Sequence, residues 1–570
     1  MKKIVGIILG LAVVAAVGFY FLRPGGKPAA GYARFLPPDV VTTVNLTHGS
    51  TLMDNFAASA MGRMLAKDTI HAIAQEMGGK AKDLAEYDRA YDSVTAVAND
   101  PAFRAVFGDD ATLALLAPDR KVLVDNPGLA LGNSLVVLAK TSVAGALDML
   151  TRLITHAQIS RETVDGLDLV KITLDQGPVF YGYTEGPMVF LAMAPAAIKT
   201  CLAAGKGEAA LDKAPAFQEA VAYWQTFPAT MIYSRSYLNT PLVAELLKLA
   251  TVPEVKEAGE LLTGIGVAYS IDYGTGQGME GRGRANLTYD RLHPALKGLF
   301  DSVKGNQTLH LLQDKALAYS WDASLQFQME RIIAAAKAEG QEYQNIDQQV
   351  RQFWGVSVEE LVHALGSQCG GVLDDVVRTP LFPWPKMTLF IEVRDRAVIE
   401  KALNGMRNFV AAQGSIREEQ EQVEGQTVYS WPVMPGEVQP AAVLTDNMFY
   451  LSTSKQSLKA MLAAKAAPGA LAAPVTAQLG PDLSGRVKAS NLSNFVVFPA
   501  RMARQTGETI EWLAAILASR QVGMERLKRE LVQLMESTEL IAVTTQVSKE
   551  RTEWAMTTVT AKKPAAGGGQ

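Results

Sequence analysis

Histidine is the side chain best suited to acid–base chemistry near neutral pH, and the 570-residue chain contains six of them. No two histidines stand three to five residues apart, the spacing that places two metal ligands on one helix face. His48 is the most suggestive, because it follows a predicted strand and precedes Gly49 and Ser50. Together with Asp39 it could serve an exported hydrolase. The ordinary interpretation is a solvated loop histidine near the start of a helix.

Two acidic pairs, Asp109–Asp110 and Asp374–Asp375, have the chemistry to bind calcium or exchange protons. Both occur in stretches that resemble loops, so they are interpreted as solvated turns. The glycine-rich run Gly274–Gly283 lacks the Lys-Ser/Thr pair and the following helix that hold a phosphate. A turn between two strands is predicted there instead.

The cysteine content also points away from a reactive or metal centre. Cys201 falls in a predicted helix at Pro195–Ala204, and Cys369 falls in a predicted Gly-flanked turn. Their spacing does not fit a zinc site, and a single disulfide between them stays open. No catalytic, cofactor-binding or metal-binding residue is therefore predicted, and the chain is expected not to be an enzyme.

The first residues form the clearest functional signal in the sequence. Ile4–Leu22 contains 19 residues without a charge, which as a helix would be about 28 Å long and close to the ~30 Å bilayer core. A cleaved signal peptide is the alternative, with Ala16–Gly18 as the cleavage site. Because the apolar run continues beyond that site, residues 1–23 are predicted to be an uncleaved anchor and residues 24–33 a linker. A short tail before a large body favours an inner-membrane, single-pass protein with its bulk in the periplasm or outside the cell.

Composition bounds the partners and the size of the fold. The chain has 54 Lys and Arg against 58 Asp and Glu, a net charge of −4, which argues against a nucleic-acid partner. Its 48% hydrophobic residues exclude an intrinsically disordered chain. The length is sufficient for two or more packed domains.

Segments of the two halves resemble each other in the same order, so one domain is predicted to occur twice. At a constant offset of 260 residues the identical pairs are Met188/Met448, Leu191/Leu451, Lys199/Lys459 and Leu202/Leu462. The other aligned segments are Leu36–Asp39 with Leu311–Asp314, Ser134–Lys140 with Met387–Val393, Val164–Gly166 with Val423–Gly425, and Tyr233–Leu238 with Val487–Leu492. The predicted copies are residues 34–290 and 305–561, followed by a flexible tail at 562–570.

Each copy is predicted to be an α+β domain. Short apolar runs separated by turn residues such as Asp165-Gly166 indicate an antiparallel meander. Amphipathic helices, including Pro241–Leu262 and Glu508–Met535, are expected to pack on one face of the sheet.

This layout resembles uncharacterised bacterial membrane-anchored proteins of the domain-of-unknown-function type. The shared features are the anchor, the spacer Pro24–Pro28, the domain opening Leu36-Pro37-Pro38-Asp39 and the repeated α+β unit. The resemblance implies an extracytoplasmic location and supplies no catalytic residues.

These observations favour a non-enzymatic, membrane-anchored envelope protein that binds a partner protein or an apolar ligand such as a lipid. The membrane contact is expected through Ile4–Leu22, without a cofactor, a metal or nucleic acid. Two alternatives remain: an exported hydrolase with a site in the first domain, and a periplasmic chaperone or assembly factor.

Overall fold

The computed structural model describes most of the chain between residues 31 and 561. The gaps in that range are 80, 142, 144, 154–156, 175–177, 208, 229–231, 339, 380–382, 413, 415, 434–437, 464–468 and 508–523. The predicted anchor (1–23), most of the linker (24–33) and the tail (562–570) lie outside the described residues.

The chain divides into two compact units, here called unit 1 and unit 2. Unit 1 runs to His293 and also takes in Glu525–Glu530 and Lys549–Glu553. Unit 2 consists of the remaining residues from Pro294 onward.

Unit 1 is built on an antiparallel sheet that contains ten strands within the described residues. They are β1 (Thr42–Thr47), β2 (Asp110–Leu115), β3 (Leu135–Lys140), β4 (Ala157–Val164), β5 (Leu167–Leu174), β6 (Val179–Glu185), β7 (Met188–Ala192), β8 (Ile232–Leu238), β9 (Ile265–Thr275) and β10 (Gly278–Leu287). Their order across the sheet is β4-β5-β6-β7-β3-β2-β1-β8-β9-β10. The first strand of the chain therefore lies near the middle of the sheet.

The strands that follow His293 also form a mainly antiparallel sheet. They are β11 (Ala318–Asp322), β12 (Leu365–Arg378), β13 (Pro383–Val393), β14 (Glu419–Val423), β15 (Gln426–Ser430), β16 (Ala441–Leu444), β17 (Met448–Ser452), β18 (Ser493–Val497), β19 (Thr538–Val547) and β20 (Arg551–Thr560). Their order is β14-β15-β16-β17-β13-β12-β11-β18-β19-β20. Each position is occupied by the strand ten places later in the chain than its counterpart in unit 1.

Helices occupy the segments between these strands. Those described before Pro294 are α1 (Gly49–Ala58), α2 (Ala60–Met64), α3 (Lys67–Glu76), α4 (Ala85–Asn99), α5 (Pro101–Phe107), α6 (Arg120–Asp125), α7 (Pro127–Ser134), α8 (Ala146–Leu153), α9 (Pro195–Lys206), α10 (Pro215–Trp224), α11 (Thr240–Lys248) and α12 (Pro253–Leu261). Those described from Pro294 onward are α13 (Pro294–Ser302), α14 (Leu325–Ala338), α15 (Gln341–Trp354), α16 (Val358–Ala364), α17 (Arg396–Ala412), α18 (Lys455–Leu462), α19 (Ala473–Ala489) and α20 (Glu525–Glu536).

The predicted α+β class with an antiparallel sheet is confirmed by these elements. The predicted helix Pro241–Leu262 is wrong in detail, because α11 and α12 are separate helices and Pro253 begins the second one. Of the predicted helix Glu508–Met535, residues 508–523 lie outside the described residues, and α20 accounts for the rest.

The prediction that helices cover one face of the sheet is also wrong, because both faces carry a buried cluster. In unit 1 one cluster joins Leu138 and Phe190 to α9 and α10, while a second joins Ala139 and Val189 to α8. Neighbouring residues of a strand point to opposite faces, so the two clusters lie on opposite sides of the sheet. Unit 2 has the same division: Phe390 and Tyr450 belong to one cluster, and Phe449 packs with α17 in the other.

The tight turns show why the sequence folds into hairpins here. Asp165 and Gly166 connect β4 to β5 with φ values of 54° and 81°, and Glu424 and Gly425 connect β14 to β15 with 48° and 77°. A two-residue turn with both φ values positive matches the right-handed twist of the flanking strands. The two segments that were predicted to match therefore have the same turn geometry.

Hydrogen bonds locate the residues of unit 2 that occupy the same positions as residues of unit 1. Leu36 donates its N–H to the Ala33 carbonyl at 3.2 Å, and Leu312 donates to Leu309 at 3.1 Å. Leu36 therefore corresponds to Leu312 rather than to Leu311, so that alignment was wrong by one residue. Such a slip matters, because it moves every side chain of the following strand to the other face.

The sheet register corrects two further alignments. Val136 pairs with Ala192, and Thr388 pairs with Ser452, so Val136 of β3 corresponds to Thr388 of β13. The predicted alignment of Ser134 with Met387 is therefore wrong by one residue. In the same pairs, Ala192 of unit 1 occupies the position that Ser452 occupies in unit 2, in agreement with the predicted offset of 260 residues. The match of Tyr233–Leu238 with Val487–Leu492 is wrong, because Val487 lies in α19 and the corresponding strand is β18.

Candidate functional site

The most unusual polar group of unit 1 lies on the three central strands of its sheet. Asn45 of β1 is opposite Thr112 of β2 on one side and Arg235 of β8 on the other. Asp110 begins β2 and is opposite Thr47. The side chains of Asn45, Asp110, Thr112 and Arg235 therefore point to the same face of the sheet.

Asn45 holds this group together. Its Nδ2 donates to Asp110 Oδ1 at 2.6 Å and to Thr112 Oγ1 at 2.9 Å, and its Oδ1 accepts from Arg235 Nη1 at 3.4 Å. Arg235 is only 3% exposed, and its Nε and Nη2 have no hydrogen-bond partner among the described residues. An ionised side chain thus lies inside the sheet domain with most of its donors unsatisfied, which is costly.

Burial changes the acid–base properties of both charged members. Burial raises the pKa of the Asp110 carboxyl above its usual value, while the hydrogen bond from Asn45 and the charges of Arg235, Lys140 and His48 oppose that rise. Burial also lowers the pKa of Arg235, against the effect of Tyr32 and Asp110. Asp110 was predicted to be part of a solvated turn, and this prediction is wrong because it is a hydrogen-bonded strand residue.

The equivalent positions of unit 2 carry no charge. Trp321 of β11 is opposite Gly370 and Asn494, and its Nε1 donates to Gln368 Oε1 at 3.0 Å. The hydrogen bond between the Trp321 indole and the Gln368 amide thus lies where unit 1 has the hydrogen bond between Asn45 and Asp110. Asn494 replaces Arg235 and donates to the Val487 carbonyl at 3.0 Å.

A tyrosine and a threonine lie next to each other in the core of both units, but their positions are interchanged. In unit 1 the hydroxyl of Thr43 lowers the pKa of Tyr32 against the larger effect of burial, which raises it to about 12. In unit 2 Thr308 occupies the position of Tyr32 and Tyr319 that of Thr43, and their hydroxyl oxygens are 2.8 Å apart. Both units therefore place one tyrosine and one threonine at this point of the core, in opposite order.

His48 and Asp39 do not form a common site. His48 directly follows β1 with a positive φ of 62°, and its N–H donates to the Asp109 carbonyl at 2.7 Å. Asp39 is exposed and precedes β1 at its other end. Since the six residues of β1 span roughly 20 Å, the two side chains are too far apart to act on one bond.

The second acidic pair lies in a strand rather than in a turn. Asp374 and Asp375 belong to β12 at a register shift, where a bulge interrupts the pairing with β13. Burial raises the pKa of Asp374 to about 6, and a hydrogen bond with Ser457 of α18 opposes the rise. Asp375 lies 3.9 Å from the amino group of Lys386.

The remaining sequence features have structural roles. The glycine-rich run forms the predicted turn between β9 and β10. Cys201 is buried in α9, and both cysteines are free thiols. Cys369 lies in β12, so its predicted placement in a turn is wrong. Burial, followed by the charge of Asp322, raises the pKa of the Cys369 thiol to about 11.

Part of each sheet surface is not covered by the helices described above. Leu113 of β2 is 43% exposed, and on the corresponding face of unit 2 Leu389 is 41% and Phe495 is 43% exposed. We call these surfaces the open faces of unit 1 and unit 2. In both units they lie on the same side of the sheet as the second buried cluster, next to the central strands.

The part of the chain that the structure describes contains neither a metal-binding cluster nor a membrane-spanning helix. No group of three or more His, Cys, Asp or Glu side chains there is arranged to hold a metal ion. No helix in that same part is long and apolar enough to cross a membrane. The segment Ile4–Leu22 is not among those residues.

Comparison with known proteins places the whole architecture in one family. A family model described as a protein of unknown function, DUF3352, matches residues 4–558. The chain belongs to the DUF3352 family. No curated protein and no solved structure matches it.

The DUF3352 match extends across both units, in keeping with the expected resemblance to uncharacterised proteins. Sequence reasoning did not single out Asn45 or Arg235, the residues that organise the polar group of this DUF3352 chain. A signal was present, because Thr43, Asn45 and Thr47 alternate with apolar residues in the predicted strand before His48. Polar residues at every second position of such a strand indicate a polar patch on one of its faces.

Proposed function

We propose that this chain is a non-enzymatic binding protein of the bacterial cell envelope, and that the open faces of units 1 and 2 hold an apolar segment of a partner protein. The observation that carries this proposal is the exposure of large apolar side chains on the open faces, several in unit 2 and Leu113 in unit 1. Leu113, Leu389 and Phe495 are each more than two-fifths exposed.

The solvent face of an antiparallel sheet usually alternates polar residues with the buried ones of its other face. Contiguous exposed apolar side chains on such a face are typical of interaction surfaces. Leu389 pairs directly with Leu451 on the neighbouring strand, and Leu451 is also exposed. The apolar surface of unit 2 therefore extends over adjacent strands instead of consisting of isolated residues.

The buried polar group of unit 1 favours binding over catalysis. Arg235 is 3% exposed and Asn45 is completely buried, so neither can contact a substrate without a rearrangement of the sheet. His48 and Asp39, the residues of the hydrolase alternative, lie at opposite ends of β1.

The proposal includes an origin by duplication of one domain. Its support is the identical order of ten strands in each sheet, the matched turns at Gly166 and Gly425, and the exchanged tyrosine–threonine pairs. A duplicated binding domain offers two related surfaces, one on each unit.

The proposal also includes an inner-membrane anchor formed by Ile4–Leu22, with residues 24–570 outside the cytoplasm. Its support is the uncharged length of that segment, which is sufficient to cross a bilayer. A reporter enzyme that is active only outside the cytoplasm, fused after Gln570, should be active. Activity of a cytoplasmic reporter at that position would contradict this orientation.

Photo-crosslinking in cells tests the binding surface. A photoreactive phenylalanine at position 113 or 389 should form a covalent adduct with a partner protein. The same residue at position 97 provides the control, because Val97 is similarly exposed, at 45%, but lies on α4. Adducts at position 97 equal to those at 113 and 389, or adducts at none of the three, would refute the proposal.

A further inference from the structure

The open face of unit 2 contains a pocket. It has a volume of about 280 Å³ and lies over β11, β12, β18 and β19. This size suits a single long side chain better than a drug-sized ligand, whose sites measure roughly 300–1,000 Å³. The side chains that line it from the open face are Ser320, Asp322, Cys369, Ser493, Phe495 and Val543.

Strand register locates the pocket on the open face. Ser320 is opposite Phe495 on β18, and Asp322 is opposite Ser493 on the same strand. All four residues line the pocket, so it lies where β11 pairs with β18.

The chemistry of the pocket is that of a cation receptor. Asp322 is opposite both Cys369 and Ser493, so its carboxylate stands between a thiol and a hydroxyl. One of its oxygens, Oδ1, accepts from the Ser324 N–H at 2.6 Å, which fixes the side chain in place. No lysine or arginine among the described residues of the chain forms an ion pair with Asp322.

Asp322 is the one charged side chain among the described residues that line the pocket. The Asp322 charge contributes to the raised pKa of the Cys369 thiol, after the larger effect of burial. Phe495 provides an aromatic surface on the other side, and an aromatic face attracts a cation in addition to packing against its alkyl stem. In unit 1 the corresponding residues are Leu46 and Ser236, so this combination of a carboxylate and an aromatic ring is specific to unit 2.

We propose that this pocket receives a basic side chain, lysine or arginine, of the partner protein that binds the open face. The ammonium or guanidinium group pairs with Asp322, and the alkyl stem lies against Phe495 and Val543. This inference rests on the proposed function and adds the chemical feature by which the partner is selected.

Binding of a small probe to the full-length chain in detergent tests the inference. The probe is N-acetyl-lysine N-methylamide, and the comparison is its norleucine analogue, which has the same stem without the charge. Titration calorimetry or saturation-transfer NMR should show at least tenfold weaker binding of the norleucine analogue. Equal binding of the two probes would overturn the inference.

Variants of the pocket provide the second measurement. Asp322→Asn keeps the oxygen that accepts from Ser324, so the fold should be maintained, and it should weaken lysine-probe binding at least tenfold. Asp446→Asn removes a fully exposed carboxylate elsewhere in unit 2 and should have no effect. Unchanged binding in Asp322→Asn would contradict the assignment.

Crosslinking separates this inference from the proposed function. If position 389 captures the same partner with equal yield in the wild-type and Asp322→Asn chains, open-face binding stands and the role of the pocket is refuted. If the lysine probe binds and depends on Asp322 but no partner is captured at position 389, the pocket is a site for free amines and the partner assignment is wrong. A loss of capture in Asp322→Asn alone supports both.

Discussion

Units 1 and 2 use the same backbone positions for very different buried groups. In the centre of the sheet, unit 1 places the buried Arg235 and Asp110 around Asn45, while unit 2 places Trp321 against Gln368 and Asn494. A hydrogen bond joins β1 to β2 in one unit and β11 to β12 in the other, at equivalent positions. The comparison shows that the strand order requires neither a particular side chain there nor complete pairing of the buried polar atoms. Arg235 Nε and Nη2 and Asn494 Oδ1 have no hydrogen-bond partner among the described residues.

The comparison also shows where each unit gains its stability. Trp321 is 1% exposed and fills the core of unit 2 with a large apolar surface. Asn45 occupies the same position with a small side chain whose contribution is its hydrogen bonds. Unit 1 thus depends at this point on a polar network, and unit 2 depends on packing.

Truncation of the central residue should produce the largest effect. Trp321→Ala should destabilise unit 2 by about 3–5 kcal/mol, because it leaves a cavity and a stranded Gln368. Asn45→Ala should destabilise unit 1 by only about 1–3 kcal/mol, the cost of unsatisfied partners. Hydrogen exchange measured by mass spectrometry reports the two units separately. A larger loss of protection for Asn45→Ala than for Trp321→Ala would show that unit 1 depends more on its central residue than unit 2 does.

Exchange of the tyrosine–threonine pair should come next. Tyr32→Thr and Thr43→Tyr should each destabilise unit 1 by about 2–4 kcal/mol, through a cavity and through overpacking respectively. The double variant reproduces the arrangement of Thr308 and Tyr319, so it should recover at least about 1 kcal/mol relative to the sum of the single changes. Strict additivity in a double-mutant cycle would show that the two positions are not interchangeable.

The hairpin turns should respond alike in both units. Gly166→Ala and Gly425→Ala should each cost about 1–2 kcal/mol, since alanine is strained at the φ values of 81° and 77° found there. Gly276→Ala is the control, because a Cβ at that turn would meet nothing within 4 Å and its φ is not in the left-handed region. Thermal unfolding of the three variants measures the differences. If Gly276→Ala lowered the stability as much as the other two variants, the positive φ would not be the cause of the destabilisation.

The smallest effect should be on the pH dependence of unit 1. Because burial raises the pKa of Asp110, the folded chain favours the protonated carboxyl. This contribution to stability is complete below the pKa of the unfolded state, about 3.9, and is lost as the pH rises through the higher folded-state pKa. Asp110→Asn should therefore flatten the decline in the stability of unit 1 between pH 4 and pH 7.

Unit 2 offers the reciprocal change. Gln368→Glu places a carboxyl at the position of Asp110, so unit 2 should become less stable at pH 7 than at pH 4. Urea denaturation at the two pH values, followed by hydrogen exchange, distinguishes the units. A pH dependence of unit 1 that persists in Asp110→Asn would assign it to another group of that unit, such as Asp272, whose pKa burial also raises.

The α+β class and the antiparallel hairpins could be predicted because they depend on local signals. Asp165-Gly166 and Glu424-Gly425 specify a turn without help from distant residues. The alignment errors at Leu36 and Ser134 arose because flanking similarity does not fix strand register, whereas the sheet pairing does.

The polar group of unit 1 was not predicted, because its members lie far apart in the chain. Asn45 and Arg235 are 190 residues apart, and only the pairing of β1 with β8 brings them together. Asp110 was interpreted from its acidic neighbour Asp109, although its environment is decided by Asn45 on another strand. The pocket beside Asp322 was not predicted for the same reason: Asp322, Cys369 and Ser493 come together only after β11 has paired with β12 and β18.

The central position of β1 has a consequence for the synthesis of the chain. Thr42 donates its hydroxyl hydrogen to the carbonyl of Tyr237, which is 195 residues later. At roughly 5–20 residues per second, β8 leaves the ribosome about 10–40 s after β1. During that interval β1 can pair with β2, but its other edge is an open template for any extended segment nearby. Proteins of this topology should therefore depend on a holding chaperone that shields the open edge of β1 until β8 has been synthesised.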